Sequence, residues 1–288
     1  MIETVKGVAK TFDVIMLTKN SMPYVRESIP SVYRAIPINH LILVDGGSTD
    51  GTLEYARTFP NVRILVDTGT RATARQRGIE EVETEWHVHV DSDVILCENW
   101  MDKALPYIND QAVGAVWGVT IPLARVDKDI MRALAKLRRI SPIEMELRQE
   151  RYLLTDTAIR TAAASGLMIP PDRHVQEDQF IGEHIVTNGY RFLKVKEPYC
   201  YHYLGGRSEL GLRKEAILNG YLYRKYKMKP FSLVLRNGLS AIPKAIWIFL
   251  YTFNFSAMRK FLFSQTLPLE GWLMGDSKKV AEGRRARR

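Results

Sequence analysis

Apolar positions over the first part of the chain fall into short β-rich runs separated by stretches with helical spacing, the signature of a parallel sheet covered by helices. Residues 12–17, 40–44, 62–66 and 86–90 read as strands, and 24–35, 52–58 and 72–82 as the helices between them. Pro23 stands where a first helical turn tolerates it. Beyond this region come an apolar run over 113–121, a charged stretch over 128–160 that reads as helical, and a small apolar segment over 162–169. Residues 190–195 read as a late strand, and 199–203 form an aromatic run around His202.

In an open α/β sheet ligands sit beyond the carboxyl ends of the strands. Those positions hold Thr18, Lys19 and Asn20; Asp45, Gly46 and Gly47; Asp67; and Asp91, Ser92 and Asp93. Turns favour Asp, Asn, Gly and Ser in any protein, but three acidic turns on one sheet edge ask for more than turn chemistry. Asp91-Ser92-Asp93 is a carboxylate pair able to hold a hard divalent ion, Mg²⁺ or Mn²⁺, with positions left for diphosphate oxygens. In the loop from Asp45 to Gly51, glycines admit close approach of a ligand and Asp45 can accept hydrogen bonds from a base or ribose; Ser48, Thr49 or Asp50 can equally serve as a helix N-cap. Arg71, Arg75 and Arg77 precede or occupy the third helix, and Arg75 is the first choice for neutralising a diphosphate.

Taken in order, VIMLTKN, LILVDGGSTDGT, GTRATARQRG, HVDSDV and QED resemble the nucleotide-sugar-binding domain of family 2 glycosyltransferases over roughly residues 12–205. The resemblance implies a GT-A fold, a Rossmann-like and mostly parallel sheet with helices on both faces. It further implies that Asp45 contacts the nucleotide base, that Asp91 and Asp93 engage nucleotide and metal, and that Asp178 is the catalytic base. Gln76 stands where the family usually has Asn, and the Gln-x-x-Arg-Trp signature of processive synthases is missing, which implies transfer of single sugars. Displacing a nucleoside diphosphate from an anomeric carbon needs a clamp for the leaving oxygens and a base for the incoming hydroxyl. Asp178 answers the second need, with Glu177 to orient it or touch the acceptor, and His202 is a candidate further metal ligand, as in some GT-A enzymes. A phosphate acceptor, as in the dolichyl-phosphate mannose synthases that the chain also resembles, would need no base. A rival reading places a metal on His87, His89 and Asp91, which share a strand face as in metallo-β-lactamase-type hydrolases, although Ser92 replaces the final His.

The chain has 288 residues, 46% hydrophobic and 25% charged, enough for a full core. Two cysteines exclude a disulfide framework, and the N-terminus holds no stretch suited to a signal peptide, so the catalytic part is expected on the cytoplasmic side of a membrane. Charge divides the chain at about residue 206. Residues 207–288 carry 17 basic and 5 acidic side chains, a net +12, whereas the whole chain has +9. The expected organisation is therefore a catalytic domain over 1–206 and a basic, aromatic helical region over 207–288 that docks on an anionic membrane surface, with a basic, non-catalytic membrane or nucleic-acid binding module as a reading of another class. The charge-free run 245–258 would span about 21 Å as a helix, short of the roughly 30 Å hydrocarbon core, so helices lying in the interface are expected, or a tilted hairpin over 237–258. The expected partners are a nucleotide-sugar donor, with GDP-mannose ahead of UDP-sugars, and a lipid-linked glycan acceptor, with no nucleic acid.

Overall fold

The computed structural model describes residues 10–203 and 209–274, so the terminal RRARR lies outside it. The chain forms two compact units. The first comprises residues 10–121, Glu146–Arg173 and Glu177–His202; the second comprises Pro122–Met145, His174–Gln176, Tyr203 and residues 209–274. Residues 122–145 and 174–176, and Tyr203 at its end, thus group with the C-terminal region although they fall within the expected first domain.

The predicted alternation runs through β1 (Phe12–Thr18), α1 (Val25–Ala35), β2 (Ile38–Asp45), α2 (Thr52–Ala56), β3 (Val62–Val66), α3 (Arg71–Glu80) and β4 (Trp86–Val90). There follow β5 (Val94–Leu96), α4 (Trp100–Ile108), β6 (Val113–Pro122), α5 (Arg125–Arg138), α6 (Pro142–Leu147), β7 (Asp156–Arg160), α7 (Glu177–Thr187) and β8 (Arg191–His202). The sheet order is β3-β2-β1-β4-β7-β6-β8-β5. β3, β2, β1 and β4 pair in parallel, so the residues after β1, β2, β3 and β4 emerge on one edge. Alternation along β1 explains why its apolar run is continuous. Val14 and Met16 pack with Val25, Ile29 and Val32 of α1, while Ile15 joins Ala74 of α3 on the other face.

Parallel pairing stops at β4, because β7 pairs antiparallel with both β4 and β6, and β5 antiparallel with β8. The "mostly parallel" expectation therefore holds for half of the sheet. The helical reading of 128–160 also fails at its end, since residues 156–160 form a wholly buried strand. Its charged ends meet tertiary partners: Asp156 accepts from Trp100 Nε1 at 3.0 Å through one oxygen while the other stays unpartnered, and Arg160 donates to the Val113 and Ile108 carbonyls and lies over the Trp86 ring. Cys97 and Cys200 are free and buried.

In the second unit, α5 packs with α9 (Phe231–Thr252) and α10 (Phe255–Met274) around Ala133, Ala241, Ala245, Ile248, Ala257 and Phe261. Trp247 Nε1 donates to the Ala133 carbonyl at 2.8 Å, and Lys260 pairs with Asp127 at 2.7 Å. α8 (Glu209–Lys225) and α10 touch backbone to backbone: a Cβ on Gly271 would lie 1.7 Å from the Ile217 carbonyl oxygen, so no larger residue fits there. α9 has 22 residues and a mean hydropathy of 1.3 over its most apolar window, long and apolar enough to cross a membrane by length and composition. The chain breaks at Phe253, whose φ is +50°, so the run 245–258 is divided between two helices.

Candidate functional site

The Asp45 loop is organised by Asp45 itself. Its carboxylate is 1% exposed and accepts from the Gly47 and Ser48 amides at 2.8 Å each and from the Ser48 hydroxyl. This folding needs a left-handed residue at Gly47, where φ is +86°. Asp45 therefore holds the loop and does not itself face open space. None of Ser48, Thr49 and Asp50 is the N-cap of α2: Gly51 holds that position, and Asp50, one residue earlier, accepts from the Thr52 amide at 3.1 Å. The loop is tied to the end of β1: the Asn20 amide donates to Ser48 Oγ and the Thr49 amide to Asn20 Oδ1, both at 2.8 Å. Next to it, Thr18, 5% exposed, donates to Ser21 Oγ at 2.8 Å, and Ser21 meets Ser92 at 2.9 Å. Ser21 was not singled out in the sequence, yet it joins the β1 end to the acidic turn.

In that turn Asp91, Asp93 and His202 each bring a ligand atom within 4.8 Å of the others. Asp93 follows β4, while His202 ends β8, and the antiparallel register that sets Val94 opposite His202 brings them together. His202 Nε2 lies 3.0 Å from Asp93 Oδ1. Two carboxylates and an imidazole form a donor set that Mn²⁺ or Mg²⁺ accepts, with positions remaining for a ligand's oxygens.

Arg75 joins this turn to the acidic pair. Its guanidinium, 5% exposed, donates to Asp91 Oδ1 at 2.9 Å, faces His89 Nδ1 at 3.2 Å and lies 4.0 Å from Glu177 Oε1. Arg75 is thus occupied by carboxylates, and the expectation that it neutralises diphosphate directly does not match its position: burial this deep requires paired charge. Arg77 donates to the Val66 carbonyl at 2.6 Å, and Arg71 is exposed at the first turn of α3. Gln76 bridges elsewhere, accepting from the Ile169 amide at 3.0 Å and donating to the Leu167 carbonyl at 3.3 Å, so it fastens the segment before the acidic pair onto α3.

Glu177 and Asp178 open α7, where the helix dipole favours negative charge. Burial first, and then the neighbouring Asp178 carboxylate, push Glu177 up to about 7, against the lowering pull of Arg75 and Arg71. Desolvation also raises Asp178, with Asp91 adding to it and Arg151 and Arg75 opposing. The two carboxyls hold a proton between them more readily than ordinary acids do.

The rival hydrolase grouping is not formed. His87 and His89 are 0% exposed, and burial holds His87 down at about 4 and His89 well below the usual histidine range. They are neutral interior side chains with rings stacked edge to face, and among the described residues the ligand group that includes Asp91 draws on Asp93 and His202 instead.

Comparison with known proteins bears on this geometry. The family described as Glycosyl transferase family 2 matches residues 13–171. No curated protein sequence matches the chain significantly. Among solved structures, S. aureus TarS is 16% identical with a TM-score of 0.56, over 95% of this chain and 55% of its own, so this chain spans about half of TarS. The 1–349 portion of TarS in complex with UDP-GlcNAc is 18% identical with a TM-score of 0.52, over 96% of this chain and 92% of that one. The mannosyltransferase PcManGT from Pyrobaculum calidifontis, in complex with GDP-Man and Mn²⁺, is 19% identical with a TM-score of 0.56, over 97% and 81%. At these identities the likeness establishes the fold alone.

Proposed function

Because the chain belongs to glycosyl transferase family 2, we propose that its GT-A fold carries out metal-dependent, inverting transfer of one sugar from a nucleoside diphosphate to a hydroxyl of a lipid-linked glycan at a membrane surface. The observation that carries this reading is the linkage of Asp91 to Asp93 and His202 on one side and, through Arg75, to Glu177 and Asp178 on the other.

In this reading Asp91, Asp93 and His202 hold Mn²⁺ or Mg²⁺, which supplies charge for the departing diphosphate. Asn20, the Asp45 loop, Thr18 and Ser92 frame the donor side. Asp178 accepts the proton of the attacking hydroxyl, and attack opposite the leaving group inverts the anomeric carbon. Glu177 shares the proton of the pair, while Arg75 stands between Asp91 and Glu177 and offsets part of the burial that raises Glu177. Transfer to a polyprenyl phosphate is the second reading; carboxyls raised toward neutrality suit a base that serves a hydroxyl and have no task there. GDP-mannose is the favoured donor, in line with the donor bound by the similar PcManGT, and UDP-sugars form the other arm of the test. The apolar α9 and the basic C-terminal region support a membrane-presented acceptor, and the side proposed for catalysis is the cytoplasmic one.

The test is donor hydrolysis and transfer, with GDP-mannose and UDP-sugars as donors, by wild type, Asp93→Ala and Asp178→Asn. Turnover should require Mn²⁺ or Mg²⁺ and collapse in both variants. Turnover untouched by chelator would remove the metal role, and full transfer by Asp178→Asn would remove the base.

A further inference from the structure

α9 has two faces of different chemistry. Val234, Gly238, Ala241, Ala245 and Ile248 are buried in the second unit, whereas Leu239, Ile242, Ile246, Leu250 and Phe253 are 62%, 51%, 53%, 59% and 82% exposed. Their spacing of three or four residues places them on one stripe, about 21 Å long at a helical rise of 1.5 Å per residue. The one charged residue between 239 and 253, Lys244, is half-buried and donates to Ser240 Oγ at 3.3 Å, and exposed arginines, Arg236 and the Glu209-paired Arg259, stand on either side of the stripe. An apolar patch of this extent on an isolated unit marks an interaction surface.

A second stripe lies on α5. Arg125, Lys128, Arg132 and Lys136 are exposed at helical spacing, and Arg139 follows just beyond the helix. Of the acidic residues of α5, Asp127 is paired with Lys260, while Asp129 accepts from Asn254 Nδ2 at 2.8 Å and lies 3.7 Å from Arg125, so it offsets one cation of the row and leaves the remainder in excess. A purely apolar occupant has no use for this row of cations, and a second copy of the chain would bring like charge against it. Anionic headgroups above hydrocarbon match both stripes.

Crossing is disfavoured by what α9 packs against. The indole of Trp247 is bonded to the Ala133 carbonyl of α5, and Lys260 and Asn254 bind the α5 carboxylates. A spanning α9 would draw these charges into hydrocarbon, at a cost of several kcal/mol each. We propose that the second unit is a monotopic membrane anchor: α9 lies in the plane of an anionic bilayer with its Leu239–Phe253 stripe immersed, and the basic stripe of α5 meets the headgroups. This rests on the membrane part of the proposed function and supplies the surface responsible.

Flotation of the full chain tests it, with vesicles of phosphatidylcholine alone or mixed with phosphatidylglycerol. Wild type should float with the anionic vesicles, and added salt should weaken the binding. Ile246→Glu with Leu250→Glu should lower the bound fraction more than about tenfold, and Arg132→Glu with Lys136→Glu should remove the preference for anionic lipid. Fluorophores on Leu239→Cys and Phe253→Cys should be quenched alike by a shallow lipid nitroxide; one shallow and one deep probe would mean that α9 crosses. Donor hydrolysis in solution, read on the same preparations, should be equal in all variants. If hydrolysis is absent but flotation behaves as described, the enzymatic reading fails and the anchor stands. Flotation unaffected by the glutamates, or a wild-type dimer that they dissociate without any vesicle binding, overturns the anchor.

Discussion

Arg75 Nη2 donates to Asp91 Oδ1 at 2.9 Å from a guanidinium that is only 5% exposed. The same side chain faces Glu177, so one buried cation balances acids from two separate segments. Arg75→Met should leave those carboxylates uncompensated and cost about 3–5 kcal/mol of stability, measurable as a fall in the urea midpoint. Arg75→Lys should lose most of the same stability, because an ammonium lacks the planar fork that reaches Asp91 and His89 together.

The raised Glu177 carboxyl gives a signed pH dependence. Below the ordinary glutamate range both folded and unfolded chains carry its proton, so it makes no difference there. As pH rises from about 4.5 toward 7, the unfolded chain releases the proton while the folded one keeps it, and native stability falls. The advantage of Glu177→Gln over wild type in urea midpoint should therefore widen across that window and level off above it. His87 and His89 titrate in both proteins, so their opposite contribution cancels in the difference.

The same pair shapes the rate. If Asp178 accepts the hydroxyl proton, kcat/KM should rise with pH through the last ionisation of the pair. Removing the like charge at Glu177→Gln should move that limb to lower pH in an activity profile of the folded variant. A limb that stays in place would separate Glu177 from the base.

His202 reaches the acidic turn only through the β5–β8 pairing. His202→Ala should raise the Mn²⁺ concentration for half-maximal activity by at least about tenfold while leaving the melting curve of the metal-free protein close to wild type. Direct Mn²⁺ titration by electron paramagnetic resonance, where bound ion loses its free signal, checks this without turnover.

Gln76 spans two backbone groups of the 167–169 segment. Gln76→Ala should cost about 1–2 kcal/mol in urea unfolding, the usual penalty for leaving partly buried polar groups without partners.

What could be read from the sequence follows the range of the forces involved. β1 to β4 and their acidic turns were legible, because apolar runs buried on both faces and Asp-Gly turns are local chemistry. β7 was not, since Asp156 and Arg160 look like surface residues until Trp100 and the Val113 carbonyl, 56 and 47 positions away, supply partners. The candidate site residues could be proposed by type and position, but the contacts among them could not. Arg75 reads as a phosphate ligand, and only the fold pairs it with Asp91; Asp45 reads as a ligand contact, and only the loop geometry turns it inward. Likewise the basic row on α5 hides in a stretch whose total charge is mixed, until burial separates the aspartates from the arginines and lysines.

The serine contact between the β1 end and the acidic turn has a direction. Ser21 Oγ already receives hydrogens from the Thr18 hydroxyl and the Lys19 amide, which fill both of its lone pairs. Its own hydrogen must then go to Ser92, whose hydroxyl is left with a hydrogen to give away. Three side chains thus behave as a one-way string whose last hydroxyl, at the acidic turn, keeps its hydrogen for an acceptor from outside the string.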